Sequence, residues 1–130
     1  MKKSTTITIL IVVIIIIIIG AFFYFKMQND KKLLASIQDK TIFFYGDGCP
    51  HCANVEKFFQ DNNVESKIQF EKMEVFNNRS NSSLMDLVAA KKCNISSGEL
   101  GVPFLWDGPD SKCLLGDQDI INFFKQKLGI

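Results

Sequence analysis

The chain divides into two parts by the spacing of its apolar residues. Residues 7–25 carry no charge, and residues 9–19 consist only of isoleucine, leucine and valine. A helix of that length, rising about 1.5 Å per residue, extends roughly 28 Å, close to the ~30 Å hydrocarbon core of a membrane. The pattern therefore predicts a transmembrane anchor at residues 7–25, preceded by a short tail at residues 1–6.

A cleaved signal peptide is the alternative interpretation of this segment. The apolar region of such peptides is shorter, typically about 7–15 residues, and Ile19-Gly20-Ala21 is a poor cleavage site. The aromatic cluster at residues 22–25 is typical of a membrane interface. We therefore expect an anchor that stays uncleaved.

After the anchor, apolar residues recur in short runs separated by polar turns. Residues 26–39 are polar but carry Leu33, Leu34 and Ile37, which predicts a linker with a short amphipathic helix. Residues 40–130 suffice for one small domain with one core. Alternating runs predict strands there, and i, i+3, i+4 spacing predicts helices, in the order strand, helix, strand, helix, strand, strand, helix. The predicted elements are strands at residues 41–45, 67–76, 101–106 and 112–115, a helix that starts at Pro50, and helices capped by Ser83 and Asp117.

One predicted strand, at residues 67–76, has an irregular pattern. Ile68 and Phe70 share one face, whereas Met73 and Val75 share the other. A β-bulge or a change of pairing partner would each explain such a slip, and the pattern does not distinguish between them.

Cys49-Pro50-His51-Cys52 follows the first predicted strand and carries the candidate chemistry. A turn at residues 46–48 leads to Cys49 as the N-cap of a helix whose first residue is Pro50, where a missing N–H has no cost. The unpaired N–H groups and the positive end of the helix dipole favour the thiolate of Cys49 over the thiol. Cys52, three positions on, lies on the same helix face. The pair is therefore predicted to be redox-active.

Pro50 and His51 are expected to tune the ionisation of the Cys49 thiol. His51, when protonated, adds a second cation beside the same sulfur. A cation stabilises the reduced, thiolate form, and this makes the disulfide the stronger oxidant. The motif thus favours an oxidising couple over a strongly reducing one.

A zinc site is one alternative for the cysteine pair, but it needs two further ligands at comparable spacing. The chain has four cysteines and one histidine, which lies inside the motif. We expect no metal and no prosthetic group. A static structural disulfide is also disfavoured, because a helix start led by proline is a poor place to bury one.

The net charge of +1, with lysines and acidic residues interspersed, excludes the basic stripe of a nucleic-acid-binding protein.

The other two cysteines, Cys93 and Cys113, leave two interpretations open. They are either small buried hydrophobic residues or a second disulfide. Such a bond would close a loop of about twenty residues and contribute roughly 3 kcal/mol in the chain-entropy model. A Cα separation above about 7 Å would exclude a disulfide.

Two further residues have simple structural roles in this interpretation. Asp47 is expected to serve the turn before Cys49, and Trp106 is expected to be part of the core.

From residue 40 onwards the chain resembles the thioredoxin-like superfamily, in its compact glutaredoxin-type form (β-α-β-α-β-β-α). The resemblance rests on the C-x-x-C motif after the first strand, on Val102-Pro103 before the third, and on Gly116-Asp117 before the last helix. The Cys-Pro-His-Cys tetrad is similar to that of the oxidising, Dsb-type branch. The short length and the Gly-Asp pair are similar to glutaredoxins.

The resemblance implies roles for these residues. Pro103 would be cis and face the cysteine pair, whereas an ordinary trans proline opening an edge strand is the alternative. Val102 and Pro103 would bind an extended substrate or glutathione, and Gly116 and Asp117 are the candidates for glutathione binding. We expect α/β architecture with an N-terminal transmembrane helix.

The expected function is that of a membrane-anchored thiol–disulfide oxidoreductase. Cys49 would attack or be attacked to form a mixed disulfide, and Cys52 would resolve it. Its partners would be protein thiols and disulfides, with a membrane redox protein for regeneration and no nucleic acid. The alternatives are a glutaredoxin-like reductant and a non-catalytic binding module tethered to the membrane.

The charges that flank the anchor are nearly balanced. Two lysines and the amino terminus precede it, and Lys26, Lys31 and Lys32 follow it. An oxidising cysteine pair functions outside the reducing cytosol. We therefore expect a single-pass protein with a cytoplasmic N-terminus and an extracytoplasmic thioredoxin-like domain, an orientation that follows from the expected function and does not support it independently.

Overall fold

The computed structural model describes residues 2–130, with side chains from Thr5 onwards. The chain forms two compact units, Met1–Ala35 and Ser36–Ile130. In the first unit, a single α-helix, α1, runs over Lys2–Ala35. Its Thr5–Ala35 stretch contains an 18-residue window with a mean hydropathy of 3.2 and is long and apolar enough to cross a membrane. The predicted linker at residues 26–39 is thus helical up to Ala35.

The second unit is built on a four-stranded mixed sheet. Its strand order is β2-β1-β3-β4, with β1 parallel to β2 and antiparallel to β3, and with β4 antiparallel to β3. Because β1 and β2 are parallel, the loops that follow them lie at the same edge of the sheet. The strands are β1 Thr41–Tyr45, β2 Glu71–Glu74, β3 Phe104–Asp107 and β4 Lys112–Leu115.

Helices cover both faces of the sheet. On one face, three helices contact one another, and their apolar side chains form the main core with Phe43 and Leu105. Ile42, Phe44 and Trp106 alternate with these residues along the strands and are buried on the opposite face, where α4 packs. The helices are α2 Pro50–Asn62, α3 Val64–Lys67, α4 Arg79–Lys92 and α5 Asp117–Leu128, of which α2, α3 and α5 share the first face.

This architecture confirms the predicted fold class, a mixed α/β domain that follows a long apolar helix in the chain, and its elements occur in the predicted order apart from the additional short helix α3. The strand predicted at residues 67–76 is shorter, however, because a one-turn helix, α3, occupies its start. Phe70 precedes the strand and packs its ring 4.9 Å from those of Phe59 and Phe124. The irregular alternation therefore reflects neither a bulge nor a change of partner.

Two predicted helix caps are also wrong. The helix expected to start at Ser83 begins earlier, because the Asn78 side chain accepts hydrogen bonds from the backbone N–H groups of Ser80 and Asn81. The cap of the last helix is Gly116, and Asp117 is its first helical residue. The Asp117 carboxylate instead accepts a hydrogen bond from the side chain of Asn54 on α2.

The second compact unit includes residues 36–39, which precede β1 and pack against β3. Ile37 is 3% exposed, and its carbonyl accepts a hydrogen bond from the indole N–H of Trp106 at 2.9 Å. A side chain at Gly108 would collide with the backbone of Ile37 and Gln38. This approach fastens the start of the domain to its sheet.

Trp106→Phe is expected to lower the free energy of unfolding by about 1 kcal/mol, because it removes the indole N–H and leaves the Ile37 carbonyl with only its longer hydrogen bond, from the Lys40 N–H at 3.3 Å. Chemical denaturation of the wild-type and variant proteins measures the difference. The near-ultraviolet circular dichroism of the phenylalanine and tyrosine residues shows that the fold persists. Equal stabilities would show that the hydrogen bond is replaced by water.

Candidate active site at the start of α2

The backbone between β1 and α2 places Cys49 at a helix N-terminus. Cys49 is the N-cap of α2, with φ −77° and ψ 116°, and its sulfur accepts a hydrogen bond from the Cys52 N–H at 3.2 Å. The Cys49 N–H donates to the carbonyl of Gly46 at 3.2 Å, which closes the turn. Gly48 has a φ of 73°, a left-handed conformation that favours glycine. Pro50 occupies the first helical turn, as the sequence predicts.

The two sulfur atoms differ in accessibility. Cys49 is partly exposed, whereas Cys52 is 2% exposed, and neither is bonded to another cysteine. Burial, together with a hydrogen bond to the Cys49 side chain, raises the pKa of Cys52 to about 12. Cys52 is therefore a protonated thiol at neutral pH. A surface cleft of about 210 Å³ opens beside the pair and includes Gly46, Asp47 and Glu56 in its lining.

The segment before β3 faces Cys49 from the other side. The Val102–Pro103 peptide bond is cis, as the resemblance implies. The Cys49 thiol lies 3.7 Å from the Val102 carbonyl, to which it donates. The Pro103 carbonyl accepts a hydrogen bond from the Gly116 N–H at 2.9 Å, so the start of α5 is joined to the same segment.

Asp117 connects α5 to the first turns of α2. Its carboxylate oxygen Oδ2 accepts a hydrogen bond from the Asn54 amide at 2.7 Å and lies 3.2 Å from Nδ1 of His51. The amide of Asn54 and, next, the imidazole of His51 hold the pKa of Asp117 below its usual value. The His51 side chain is 70% exposed, and its described partner is this carboxylate. Asn54 has no counterpart in the sequence motifs and was not predicted.

The pKa of Asp117 is lower in the folded than in the unfolded protein, where it is about 3.9. The ionised carboxylate therefore stabilises the folded domain at pH values above the unfolded-state pKa, and this stabilisation is lost as the pH falls through the folded-state pKa. Asp117→Asn is therefore expected to unfold more easily than the wild type at pH 7. The difference should shrink progressively below about pH 4. Denaturation midpoints between pH 2 and pH 7 measure it, with the exposed Asp119→Asn as the control. A difference that does not depend on pH would contradict the role of the charge.

A carboxylate on β2 joins two loops at the edge that carries Cys49. Glu74 accepts hydrogen bonds from the N–H groups of Phe76 at 2.7 Å, of Asn77 at 2.8 Å and of Asp47 at 3.4 Å. The Asn77 amide also donates to the Asp47 carboxylate at 3.1 Å. Asp47 thus serves the turn, as expected, but through partners on the β2–α4 loop. In the sequence, the one signal for these contacts between the two loops would have been a prediction that β1 and β2 pair in parallel, because parallel strands end at the same edge of the sheet.

Cys93 and Cys113 form a disulfide, with Cα atoms 5.9 Å apart. Cys93 is the C-cap of α4 and Cys113 lies on β4, so the bond joins the two ends of the segment that carries Val102 and Pro103. Among the residues whose side chains are described, no cluster of three His, Cys, Asp or Glu could hold a metal ion.

No protein-family model and no curated protein matches the chain. Among solved structures, it is similar to oxidized glutaredoxin 2 from Chlamydomonas reinhardtii, with a TM-score of 0.48 and 18% sequence identity over 77% of this chain and 96% of that chain. The fold is defined by the strand order and helix placement described above, independently of this likeness.

Proposed function

We propose that the chain is a membrane-anchored thiol–disulfide oxidoreductase that exchanges disulfides with protein substrates through Cys49 and Cys52. One observation carries the proposal: a partly exposed sulfur at a helix N-cap stands in front of a buried second thiol that hydrogen-bonds to it. This asymmetry is what exchange requires, because one sulfur must meet the substrate and the other must wait inside. It also argues against a purely non-catalytic module, in which Cys49 would need no access to solvent.

In the oxidising direction, a substrate thiolate attacks the Cys49 sulfur of the Cys49–Cys52 disulfide. The enzyme disulfide breaks, a mixed disulfide forms, and Cys52 leaves as a thiolate that takes up a proton. A second substrate thiolate then attacks the substrate sulfur of the mixed disulfide and expels Cys49. The substrate gains a disulfide, and the two electrons remain on the enzyme as two thiols. The reverse sequence reduces a substrate disulfide.

The direction of electron flow depends on how strongly the reduced pair is stabilised. The hydrogen bond from the Cys52 N–H to the Cys49 sulfur stabilises the reduced pair, and this supports an oxidising couple. His51 is proposed to contribute through its positive charge when it is protonated. The alternative of a glutaredoxin-like reductant predicts a potential of about −200 to −230 mV.

Replacing His51 with alanine is expected to make the reduction potential more negative by about 30 mV, the shift that corresponds to about 1.4 kcal/mol. Equilibration with defined glutathione buffers measures both potentials. Gln60→Ala, on the exposed side of α2, is the control. An unchanged or less negative potential would contradict the role of the imidazole.

Protein thiols are favoured over glutathione as substrates by the state of Asp117. Asp117 is a candidate for glutathione binding by the resemblance, but both of its carboxylate oxygens already have partners: Oδ2 accepts from Asn54 and lies beside His51, and Oδ1 accepts from the Gln118 N–H. Val102 and Pro103 remain the proposed contacts for the backbone of an extended substrate. Comparing the rates at which the oxidised protein reacts with reduced glutathione and with a reduced protein substrate tests this preference, which a faster reaction with glutathione would refute.

The Cys93–Cys113 disulfide supports an oxidising compartment on grounds that do not depend on the activity of Cys49, since structural disulfides persist mainly outside the cytosol. We therefore propose that residues 7–25 span the membrane once, with the N-terminus in the cytoplasm and the domain outside. A membrane redox protein would regenerate the pair. Labelling of Cys49 in intact cells with an impermeant maleimide tests this orientation, and labelling only after lysis would reverse it.

A further inference from the structure

An exposed aromatic ring stands beside the cysteine pair. Phe76 is 61% exposed, and within Ser36–Ile130, all of which the structure describes, Leu115 and the C-terminal Ile130 are the other exposed large apolar side chains. A phenylalanine in water is unfavourable for a domain that can bury it, because burial of such a ring contributes about 1.5–3 kcal/mol. Its exposure at this position calls for a reason.

The Phe76 ring lies against Gly46. A side-chain carbon at Gly46 would collide with three atoms of the ring, so the absence of a side chain there creates its seat. The carbonyl of the same Gly46 accepts the hydrogen bond from the Cys49 N–H at 3.2 Å, and Gly46 and Cys49 line the same cleft. The ring is therefore adjacent to the turn that carries the accessible sulfur.

The loop that bears Phe76 is held in place. The backbone N–H groups of Phe76 and Asn77 donate to the Glu74 carboxylate, and the side-chain amide of Asn77 donates to the Asp47 carboxylate. An aromatic side chain on a fixed backbone loses little conformational freedom when a partner packs on it. For this reason, rigid aromatic residues often dominate the energy of binding.

The polar surroundings of the ring are anionic. Burial opposes ionisation of Glu74, but the backbone N–H groups of Asn77, Phe76 and Asp47 outweigh it and keep the pKa of Glu74 below its usual value. Asp47 is exposed, and neither carboxylate pairs with a lysine or arginine among the side chains that the structure describes. A complementary partner therefore carries an apolar group for the ring and a cation for the carboxylates.

We propose that Phe76 and Asp47 form a docking site for the substrate of Cys49, an extended polypeptide that carries an apolar residue and a lysine or arginine next to its reactive cysteine. This inference rests on the proposed function and specifies the substrate class of the same site. The ring would contact the apolar side chain while Cys49 forms the mixed disulfide, so Phe76 acts on substrate binding and not on the chemical step.

The test uses the full-length oxidised protein in detergent micelles and two dithiol peptides that are identical except beside the cysteine, with Leu-Arg in one and Ser-Gln in the other. The wild type is expected to oxidise the Leu-Arg peptide with a kcat/KM about tenfold higher, equivalent to about 1.4 kcal/mol. Phe76→Ser should reduce this preference to about twofold through KM, whereas Phe76→Leu should retain most of it. Asp47→Asn, which keeps an oxygen to accept from Asn77, should remove only the part due to arginine.

Dithiothreitol, which has neither an apolar flank nor a charge, separates docking from chemistry. Phe76→Ser should react with it at the wild-type rate. A slower reaction with dithiothreitol would show that Phe76 supports the turn instead of binding substrate, and an undiminished peptide preference in Phe76→Ser would also overturn the inference. If the wild type itself fails to react with dithiothreitol and both peptides, the proposed function is wrong and the docking site loses its basis.

Discussion

Replacing Cys49 with serine is expected to lower the rate of disulfide exchange at least about a thousandfold, because a hydroxyl at the helix N-cap cannot act as the thiolate nucleophile. Cys49 is the partly exposed sulfur of the pair, and Cys52 lies behind it at 2% exposure. Reduction of insulin, followed by turbidity, and oxidation of a reduced protein measure the two directions. Retention of wild-type activity by Cys49→Ser would refute the mechanism.

Cys52→Ser is the matched variant and should behave differently. It keeps Cys49 reactive but removes the thiol that resolves the mixed disulfide, so a covalent complex with substrate should accumulate. Electrophoresis without reductant detects the complex, and the double variant Cys49→Ser/Cys52→Ser must not form it. If Cys52→Ser turned over normally without a trapped complex, the buried thiol would have no part in exchange.

The second large effect concerns the other two cysteines. Replacing both Cys93 and Cys113 with alanine is expected to lower the free energy of unfolding by roughly 3 kcal/mol, because the bond closes a loop with a sequence separation of 20. For a domain of this size the melting temperature should fall by on the order of 15 °C. Calorimetry or thermal circular dichroism measures the change.

A strong reductant provides the control for this prediction. In the Cys49→Ser/Cys52→Ser background, which leaves Cys93 and Cys113 as the remaining cysteines, the protein in excess dithiothreitol should melt near the temperature of the alanine variant, and the alanine variant itself should respond little to the reductant. Equal melting temperatures of the oxidised wild type and the variant would mean that the two thiols are not bonded in solution. The compartment argument for the membrane orientation would then lose its independent support.

Local signals explain why part of this protein can be predicted from its sequence. The C-x-x-C motif, Pro50 and the preceding β-rich run act within a few residues of one another, so the strand, turn and helix start at Cys49 agree with the structure. The boundaries of β4 also agree, because a turn and an alternating run define them. In each case the signal lies in residues that are near one another in sequence, even where the element itself, like β1, pairs with distant strands.

Predictions were wrong where a distant contact decides the local structure. Ile68 and Phe70 look like strand residues, yet they follow the one-turn helix α3, and Phe70 is drawn into the aromatic core by Phe59 and Phe124. The Asp117 carboxylate looks like a helix cap, yet Asn54, 63 positions away, donates to it. The secondary-structure propensities of nearby residues do not indicate such distant partners.

The sequence alone determined the membrane-length apolar helix, the α/β order and the position of the cysteine pair at a helix start, because periodicity, length and helix-start signals depend on short stretches of chain. The tertiary structure decided what surrounds the pair: the pairing of Cys93 with Cys113, the occupation of Asp117, and the seating of Phe76 on Gly46. The seat of Phe76 lies where the parallel strands β1 and β2 end, whereas the disulfide and the contacts of Asp117 join other elements that are far apart in sequence. Their physical basis is packing between elements, which cannot be predicted from the pattern of residues in one sequence.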